Sequence, residues 1–115
     1  MICHATEGKV IERLHMLGGD GSAMVREMFL KGEYRGHARL MAALTLEPGC
    51  SVGKHTHHGD EELIYILRGS CRYDDNGTVC RLSPGDAALT RDGESHEIVN
   101  DTDRSVEYLA VVLTY

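Results

Sequence analysis

Four of the seven histidines lie in two short segments whose composition suits metal binding. The first segment runs from His55 to Glu62 and holds three histidines and three acidic residues, and the second surrounds His96. Residues i and i+2 of an extended strand share one face, so His55 and His57 can converge on one point while His58 faces away. A carboxylate that follows the Gly-Asp turn of the first segment can reach the same point. Imidazole and carboxylate ligands in this combination favour a divalent transition metal.

The remaining sequence predicts the strands that must position these side chains. Short, β-branched and alternating apolar runs are separated by Gly, Pro, Asn and Asp, whose backbone preferences favour turns. No window of helical length shows a sustained apolar period of 3.6, which excludes the crossover helices of a parallel sheet. About eight short strands predict an all-β sandwich or barrel. The predicted strands cover residues 10–16, 24–30, 38–46, 63–73, 78–82, 87–90, 94–99 and 105–113.

The two histidine segments resemble the two sequence motifs of the cupin superfamily, in the right order and at the right spacing. Gly49, His55, His57, Glu62 and Gly69 match the first motif, and Gly85, Gly93, His96 and Asn100 match the second. The resemblance extends from Gly49 to Asn100, nearly half of the chain. Arg91 stands where the second motif usually has Pro, which puts the shape of one turn and substrate contacts in doubt but not the fold.

The resemblance implies a double-stranded β-helix, or jelly-roll barrel, of the cupin type. Residues 1–115 are then one domain, with N-terminal strands in residues 1–37 and the metal-binding barrel core in residues 38–115. Cupins commonly pair through strands at the barrel edge, and an open barrel has strand edges to cover. We therefore expect a homodimer, with residues 1–37, and Val10 to Leu30 in particular, as the dimer contact.

Carried over position by position, the resemblance makes His55, His57, Glu62 and His96 the metal ligands. Three imidazoles and one carboxylate suit Fe, Mn, Ni, Co, Cu or Zn, whereas Mg and Ca prefer oxygen ligands. The neighbouring Glu61 is an alternative to Glu62, but the spacing to the following motif glycine favours Glu62. Two positions of an octahedron stay open for water, dioxygen or a small anion. No catalytic residue beyond these ligands is assigned.

Strand parity also predicts what surrounds the metal. If Glu62 and His96 point inward, three isoleucines point inward with them and line the cavity: Ile64, Ile66 and Ile98. Either face of the strand from Ala38 to Leu46 can point inward, and both faces are mostly small or apolar. We therefore expect a narrow, apolar cavity. Two cations, Arg39 and Arg91, are near enough to recognise a carboxylate, although both are expected on the surface.

The histidines outside the ligand set have lesser roles in this interpretation. His58 is expected at the exposed rim, where it can also serve as a proton shuttle. His4, His15 and His37 have no assigned role. Asn100 is expected to cap its turn through side-chain hydrogen bonds.

Two functions remain open at this point. The first is a metal-binding cupin that acts on a small oxygenated molecule by dioxygenase, isomerase or lyase chemistry. The second is a module that binds a small molecule or sugar without turnover, since a fold does not decide a function.

Composition restricts the partners. The chain has 115 residues with 12 basic and 18 acidic side chains, a net charge of −6. This balance argues against nucleic acid and against an anionic membrane surface. The first residues have neither the basic nor the apolar region of a secretory signal, so we expect a cytoplasmic protein.

The four cysteines are expected to be free thiols, as is usual in a reducing cytoplasm. Cys71 and Cys80 flank the turn from Asp74 to Gly77 and are the one pair to consider. A four-residue loop would place them opposite each other, whereas a two-residue loop would place Cys80 opposite Tyr73.

Overall fold

The computed structural model describes residues 1–115 and is built almost entirely of antiparallel strands. One short 3₁₀ turn, Met16–Gly18, is the only helical element, and no helix could cross a membrane. The prediction of an all-β chain is confirmed. The ten strands are β1 (Lys9–Leu14), β2 (Ser22–Glu27), β3 (Ala38–Leu46), β4 (Ser51–Thr56), β5 (Asp60–Arg68), β6 (Cys71–Asp75), β7 (Thr78–Leu82), β8 (Ala87–Thr90), β9 (Ser95–Val99) and β10 (Val106–Thr114).

The strands form two sheets that face each other across the core. The six-stranded sheet has the order β1-β2-β3-β10-β5-β8, and the four-stranded sheet has the order β4-β9-β6-β7. Both sheets contribute to one buried apolar cluster, which includes Leu44, Ile66 and Tyr108 from the first sheet and Val52 and Ile98 from the second. Side chains that alternate along each strand therefore divide between this core and an outer face.

The predicted strands agree with the observed ones to within about three residues at each end, except for the predicted strand 63–73 and the unpredicted β4. The bounds of β3, β7 and β8 match the prediction. The predicted strand 63–73 is two strands, because the chain turns at Gly69, where φ is +74° and a Cβ would lie 2.3 Å from the carbonyl oxygen of Ser105. Only glycine fits such a position. The strand β4, which carries His55, was not among the predicted strands.

The hairpin between β6 and β7 settles the register of two cysteines. Its loop is the two-residue Asn76-Gly77 form, so Tyr73 pairs with Cys80 and Cys71 pairs with Leu82. Cys71 is buried and Cys80 is exposed, and all four cysteines are free thiols.

Candidate metal centre

Four side chains predicted from the sequence converge at the mouth of the barrel. His55 on β4 is directly paired with His96 on β9, and Glu62 projects from β5 in the opposite sheet. His57 lies in the short connection between β4 and β5, which carries it to the same point. One ligand atom from each of the four residues lies within 4.8 Å of every other.

The imidazole nitrogens meet at short distances. The Nε2 atom of His96 lies 3.0 Å from Nε2 of His55 and 3.1 Å from Nε2 of His57. The Oε1 atom of Glu62 lies 3.2 Å from Nε2 of His57 and 3.3 Å from Nε2 of His96. Two ligands at right angles around a metal, with bonds of about 2.1 Å, are about 3.0 Å apart. The spacing of these atoms therefore fits a single transition-metal ion.

The opposite ring nitrogens fix the tautomers of two of the histidines. Nδ1 of His55 donates to the carbonyl oxygen of Gly53 at 2.8 Å, and Nδ1 of His57 donates to Oδ1 of Asp60 at 2.7 Å. When neutral, both rings then direct an Nε2 lone pair at the common point. Lone pairs that converge in this way repel each other unless a cation lies between them, so the donor set fits a metal.

The third histidine, His96, is held by a tyrosine. The hydroxyl of Tyr73 lies 2.7 Å from Nδ1 of His96 and 3.1 Å from the hydroxyl of Thr90. All three side chains are buried. This hydroxyl chain orients the ring of His96 in the same way as Gly53 and Asp60 orient the other two.

Glu62 is a buried anion. Burial by itself raises the pKa of Glu62, but hydrogen bonds to His57 and His96 outweigh it and lower the pKa to about 2. The hydrogen bond with Glu62 raises the pKa of His57, whereas burial lowers the pKa of His55. A carboxylate that is ionised at neutral pH, beside three imidazoles, suits a divalent cation. Glu61, the alternative to Glu62, lies outside this cluster.

Asp60 and Arg39 support the cluster from behind, and no motif in the sequence indicated this role for Asp60. Asp60 accepts hydrogen bonds from Nδ1 of His57 at 2.7 Å and from Nε of Arg39 at 2.8 Å. Burial opposes the ionisation of Asp60, but these hydrogen bonds outweigh it and lower its pKa. Arg39 is exposed, as expected. Its half-exposed side chain also lines the cavity and is anchored by Asp60.

The cavity beside the cluster is wider and more polar than predicted. Its volume is about 760 Å³, and only 10 of its 21 lining residues are hydrophobic. The expectation of a narrow, apolar cavity was wrong because the N-terminal strands contribute to the mouth, where Arg13, His15 and Glu27 join the lining. His15, which directly follows β1, was not predicted to line the cavity, since the alternation along β3 and β5 carries no information about the N-terminal segment.

Strand parity was nevertheless right about direction. Ile64, Ile66 and Ile98 are buried, as predicted. Of the three, only Ile98 lines the cavity, whereas Ile64 and Ile66 belong to the core beneath it. On β3 the inward face is the one with Leu40 and Leu44, both of which line the cavity.

The remaining predicted residues lie where their assigned roles require. His58 is exposed at the rim of the cavity, and Arg91 is an exposed turn residue whose Nε donates to Glu94 at 2.7 Å. Asn100 is fully buried and its amide donates to the carbonyl oxygens of Leu46 and Arg104. The prediction that Asn100 ties down its turn is confirmed.

Two facing sheets with a cluster of three histidines and one glutamate at the barrel mouth define a jelly roll with a site able to hold a metal ion. Comparison with protein families gives the same result, since the cupin domain model matches residues 42–112. The chain belongs to the cupin family, and the predicted double-stranded β-helix fold is confirmed.

Two relatives extend the comparison. The chain is 39% identical over 99 residues to an oxalate-binding protein of Thermotoga maritima, which covers 86% of this chain and 82% of that protein. It also superposes on the crystal structure of a predicted oxalate decarboxylase from Thermotoga maritima with a TM-score of 0.95, 36% identity and full coverage of both chains.

A more distant structure shares the fold alone. The polyketide cyclase RemF from Streptomyces resistomycificus has a TM-score of 0.82 and 23% identity, and the match covers 98% of this chain and 78% of that one.

Proposed function

We propose that this cupin holds a divalent transition metal through His55, His57, Glu62 and His96 and uses it to bind a small dicarboxylate of the oxalate type. The observation that carries the proposal is the convergence of the Nε2 atoms of His96, His55 and His57 at 3.0 and 3.1 Å beside the ionised Glu62. The relative named for oxalate binding, at 39% identity, supports the choice of ligand. Fe, Mn, Ni, Co, Cu and Zn all suit the donor set.

The metal, when bound, supplies positive charge and open coordination positions for carboxylate oxygens. The chain supplies orientation and charge around it. Asp60 keeps His57 in the tautomer that binds a metal, and the hydroxyl of Tyr73 orients the ring of His96. Arg13 and Arg39 line the cavity and attract an anion toward it. Apolar residues of the wall, among them Val52 and Ile98, limit the water around the bound ligand.

Binding without turnover is favoured by the acidic residues of the cavity. A decarboxylation or isomerisation needs a group that accepts or delivers a proton at the substrate. Of the three acidic residues in the lining, Glu62 contacts two histidines and Asp60 contacts His57 and Arg39, so neither has a free role. Glu27 on β2 is the third, and with the lining histidines His15 and His58 it remains a candidate for a proton shuttle.

Calorimetry tests this function directly. Oxalate titrated into protein loaded with Mn²⁺ is expected to bind, whereas the EDTA-treated protein is expected to bind at least a hundredfold more weakly. Succinate, with two more carbons between its carboxylates, serves as the matched ligand. Equal oxalate binding with and without metal would contradict the proposal, and release of carbon dioxide or formate from oxalate would replace binding by catalysis.

We also propose that the protein is a cytoplasmic homodimer. The four unpaired cysteines support a reducing compartment. Residues 1–37 remain a predicted dimer contact: β1 lies at the edge of the six-stranded sheet, and Val10 and Leu14 on it are exposed. Edge strands of this kind are usually covered.

A further inference from the structure

The outer face of the six-stranded sheet carries an unusual concentration of apolar side chains. The strand registers align them in two rows across β3, β10, β5 and β8, and every residue of both rows is uncharged and apolar. The first row is Ala43, Leu109, Tyr65 and Ala87, and the second row is Met41, Val111, Leu63 and Leu89. A sheet face that meets water normally carries polar side chains at such positions.

One end of these rows is already covered. Phe29 and Tyr34, from the connection between β2 and β3, lie beside Met41 and Val111 around a shallow cavity of about 300 Å³. The other end is open, and there the side chains of Leu63, Tyr65 and Leu89 are 40%, 46% and 47% exposed. We call the six residues of β10, β5 and β8 the open apolar face: Leu63, Tyr65, Ala87, Leu89, Leu109 and Val111.

We infer that the open apolar face is the surface on which a second copy of this chain packs. The inference rests on the proposed homodimer and places its contact on β10, β5 and β8 instead of on residues 1–37. In a two-fold dimer the same residues meet from both sides. Because the six residues carry no charge, they can meet their own copies without bringing like charges together, even though each chain has a net charge of −6.

The size of the open apolar face suits the centre of such a contact. Its three strands, about 4.8 Å apart and with up to nine residues at about 3.3 Å each, span roughly 14 by 30 Å, or on the order of 400 Å². A standard interface buries about 800 Å² per partner, with an apolar centre and a polar rim, so this face would form the centre and its polar surroundings the rim. The rim here includes Arg68 and Glu107, whose charges lie 3.8 Å apart and balance each other.

A lipid surface fits the same face less well. Peripheral binding to anionic lipids needs basic residues around the apolar centre. The open apolar face has none, and the one arginine of the rim named above is paired with a glutamate. A second copy of the chain therefore matches the chemistry of this face better than a membrane does.

Light scattering after gel filtration tests the inference at micromolar concentration. We expect the wild-type mass to be twice 12.7 kDa. Leu63→Lys and Tyr65→Lys each place a charge at the centre of the contact and are expected to raise the dimer dissociation constant at least a hundredfold, which gives a mass near 12.7 kDa. Leu89→Lys, on the edge strand β8, provides a third variant if either β5 variant does not fold.

Two control variants distinguish this surface from the other outcomes. Val79→Lys changes a residue that is 61% exposed on β7 of the other sheet, and it is expected to remain dimeric. Val10→Lys tests the N-terminal contact. If the wild type is dimeric and the Leu63, Tyr65 and Leu89 variants are dimeric too, the proposed surface is wrong but the homodimer is not. If Val10→Lys alone dissociates the dimer, the contact lies at the N-terminus. A monomeric wild type would overturn both.

Discussion

The two sheets of this barrel share one metal cluster but present opposite surfaces to their surroundings. The outer face of the four-stranded sheet is charged, and its charges are paired: Lys54 lies 3.7 Å from Asp74, and Arg72 lies 3.8 Å from Glu97. The outer face of the six-stranded sheet is apolar across four neighbouring strands. Since both sheets bury their inner faces in the same core, the difference lies only in what each outer face meets.

This difference shows which outer face of the barrel has the polar residues expected of a face exposed to solvent. The four-stranded sheet follows the alternation of apolar inward and polar outward residues that a solvent-facing sheet requires. The six-stranded sheet follows it on the inner side alone. Its outer side is therefore where we propose that a partner packs, whereas the four candidate metal ligands all come from a single chain.

The largest expected effect comes from a variant in the candidate metal site, to which both sheets contribute. His96→Ala removes one of the two imidazoles that the four-stranded sheet contributes, the one that lies 3.3 Å from Glu62. We expect the affinity for Mn²⁺ or Zn²⁺ to fall at least a thousandfold, about 4 kcal/mol. The measurement is metal content after dialysis together with the metal-dependent rise in melting temperature. His4→Ala changes an exposed histidine far from the cluster along the chain and should leave both unchanged. Retention of metal by the His96 variant would exclude the four-residue site.

The second effect concerns the pH dependence of stability that Glu62, the candidate ligand from the six-stranded sheet, produces. Hydrogen bonds to His57 and His96 outweigh burial and lower the pKa of Glu62 from 4.5 to about 2 in the metal-free protein. A lowered pKa stabilises the fold above the unfolded value, and this stabilisation is lost as the pH falls through the folded value. Between pH 4.5 and about 2, Glu62 should therefore account for a loss on the order of 3 kcal/mol.

Denaturant unfolding of EDTA-treated protein at several pH values measures this loss. Glu62→Gln cannot ionise, so its free energy of unfolding should depend less steeply on pH over the same range. Parallel curves for the wild type and Glu62→Gln would contradict the assignment of this pKa to Glu62.

A third experiment compares the residues that orient the ligands from each sheet. Asp60, from the six-stranded sheet, is an anion bonded to His57, whereas Tyr73, from the four-stranded sheet, is a neutral hydroxyl beside His96. A hydrogen bond to a charged group is stronger, so Asp60→Asn should reduce metal affinity by about 10- to 100-fold and Tyr73→Phe by about 10-fold or less. Competition with a chelator gives both dissociation constants. A greater loss for Tyr73→Phe would reverse this order.

The candidate metal ligands could be predicted from the sequence because their evidence is local. His55 and His57 are two residues apart in the chain, and the spacing of glycines around them selects Glu62. The supporting residues could not be predicted in this way. Asp60 stands beside Arg39 only because β3 and β5 both flank β10 in the six-stranded sheet, an arrangement that no local pattern encodes.

For the outer faces, too, local sequence patterns predict some features and not others. The alternation along β5 already assigns Leu63 and Tyr65 to the side opposite Glu62. It does not reveal that Leu109 and Leu89 lie beside them, since that depends on the registers of β10 and β8. The width of the cavity depends likewise on β1 and β2, whose position over the mouth follows from tertiary packing rather than from strand periodicity.

The smallest expected effect concerns an ion pair on the charged outer face of the four-stranded sheet. Arg72 and Glu97 are 3.8 Å apart with 49% and 30% of their side chains exposed, so water screens their attraction. Exposed pairs of this kind contribute about 0 to 1 kcal/mol. We expect Arg72→Ala to change the free energy of unfolding by about 0.5 kcal/mol or less and to leave the oligomeric mass and the metal affinity unchanged. Denaturant unfolding, light scattering and competition with a chelator measure these three quantities. Loss of the dimer in Arg72→Ala would indicate that the interface lies on the four-stranded sheet, because a partner that packs on the open apolar face does not contact Arg72.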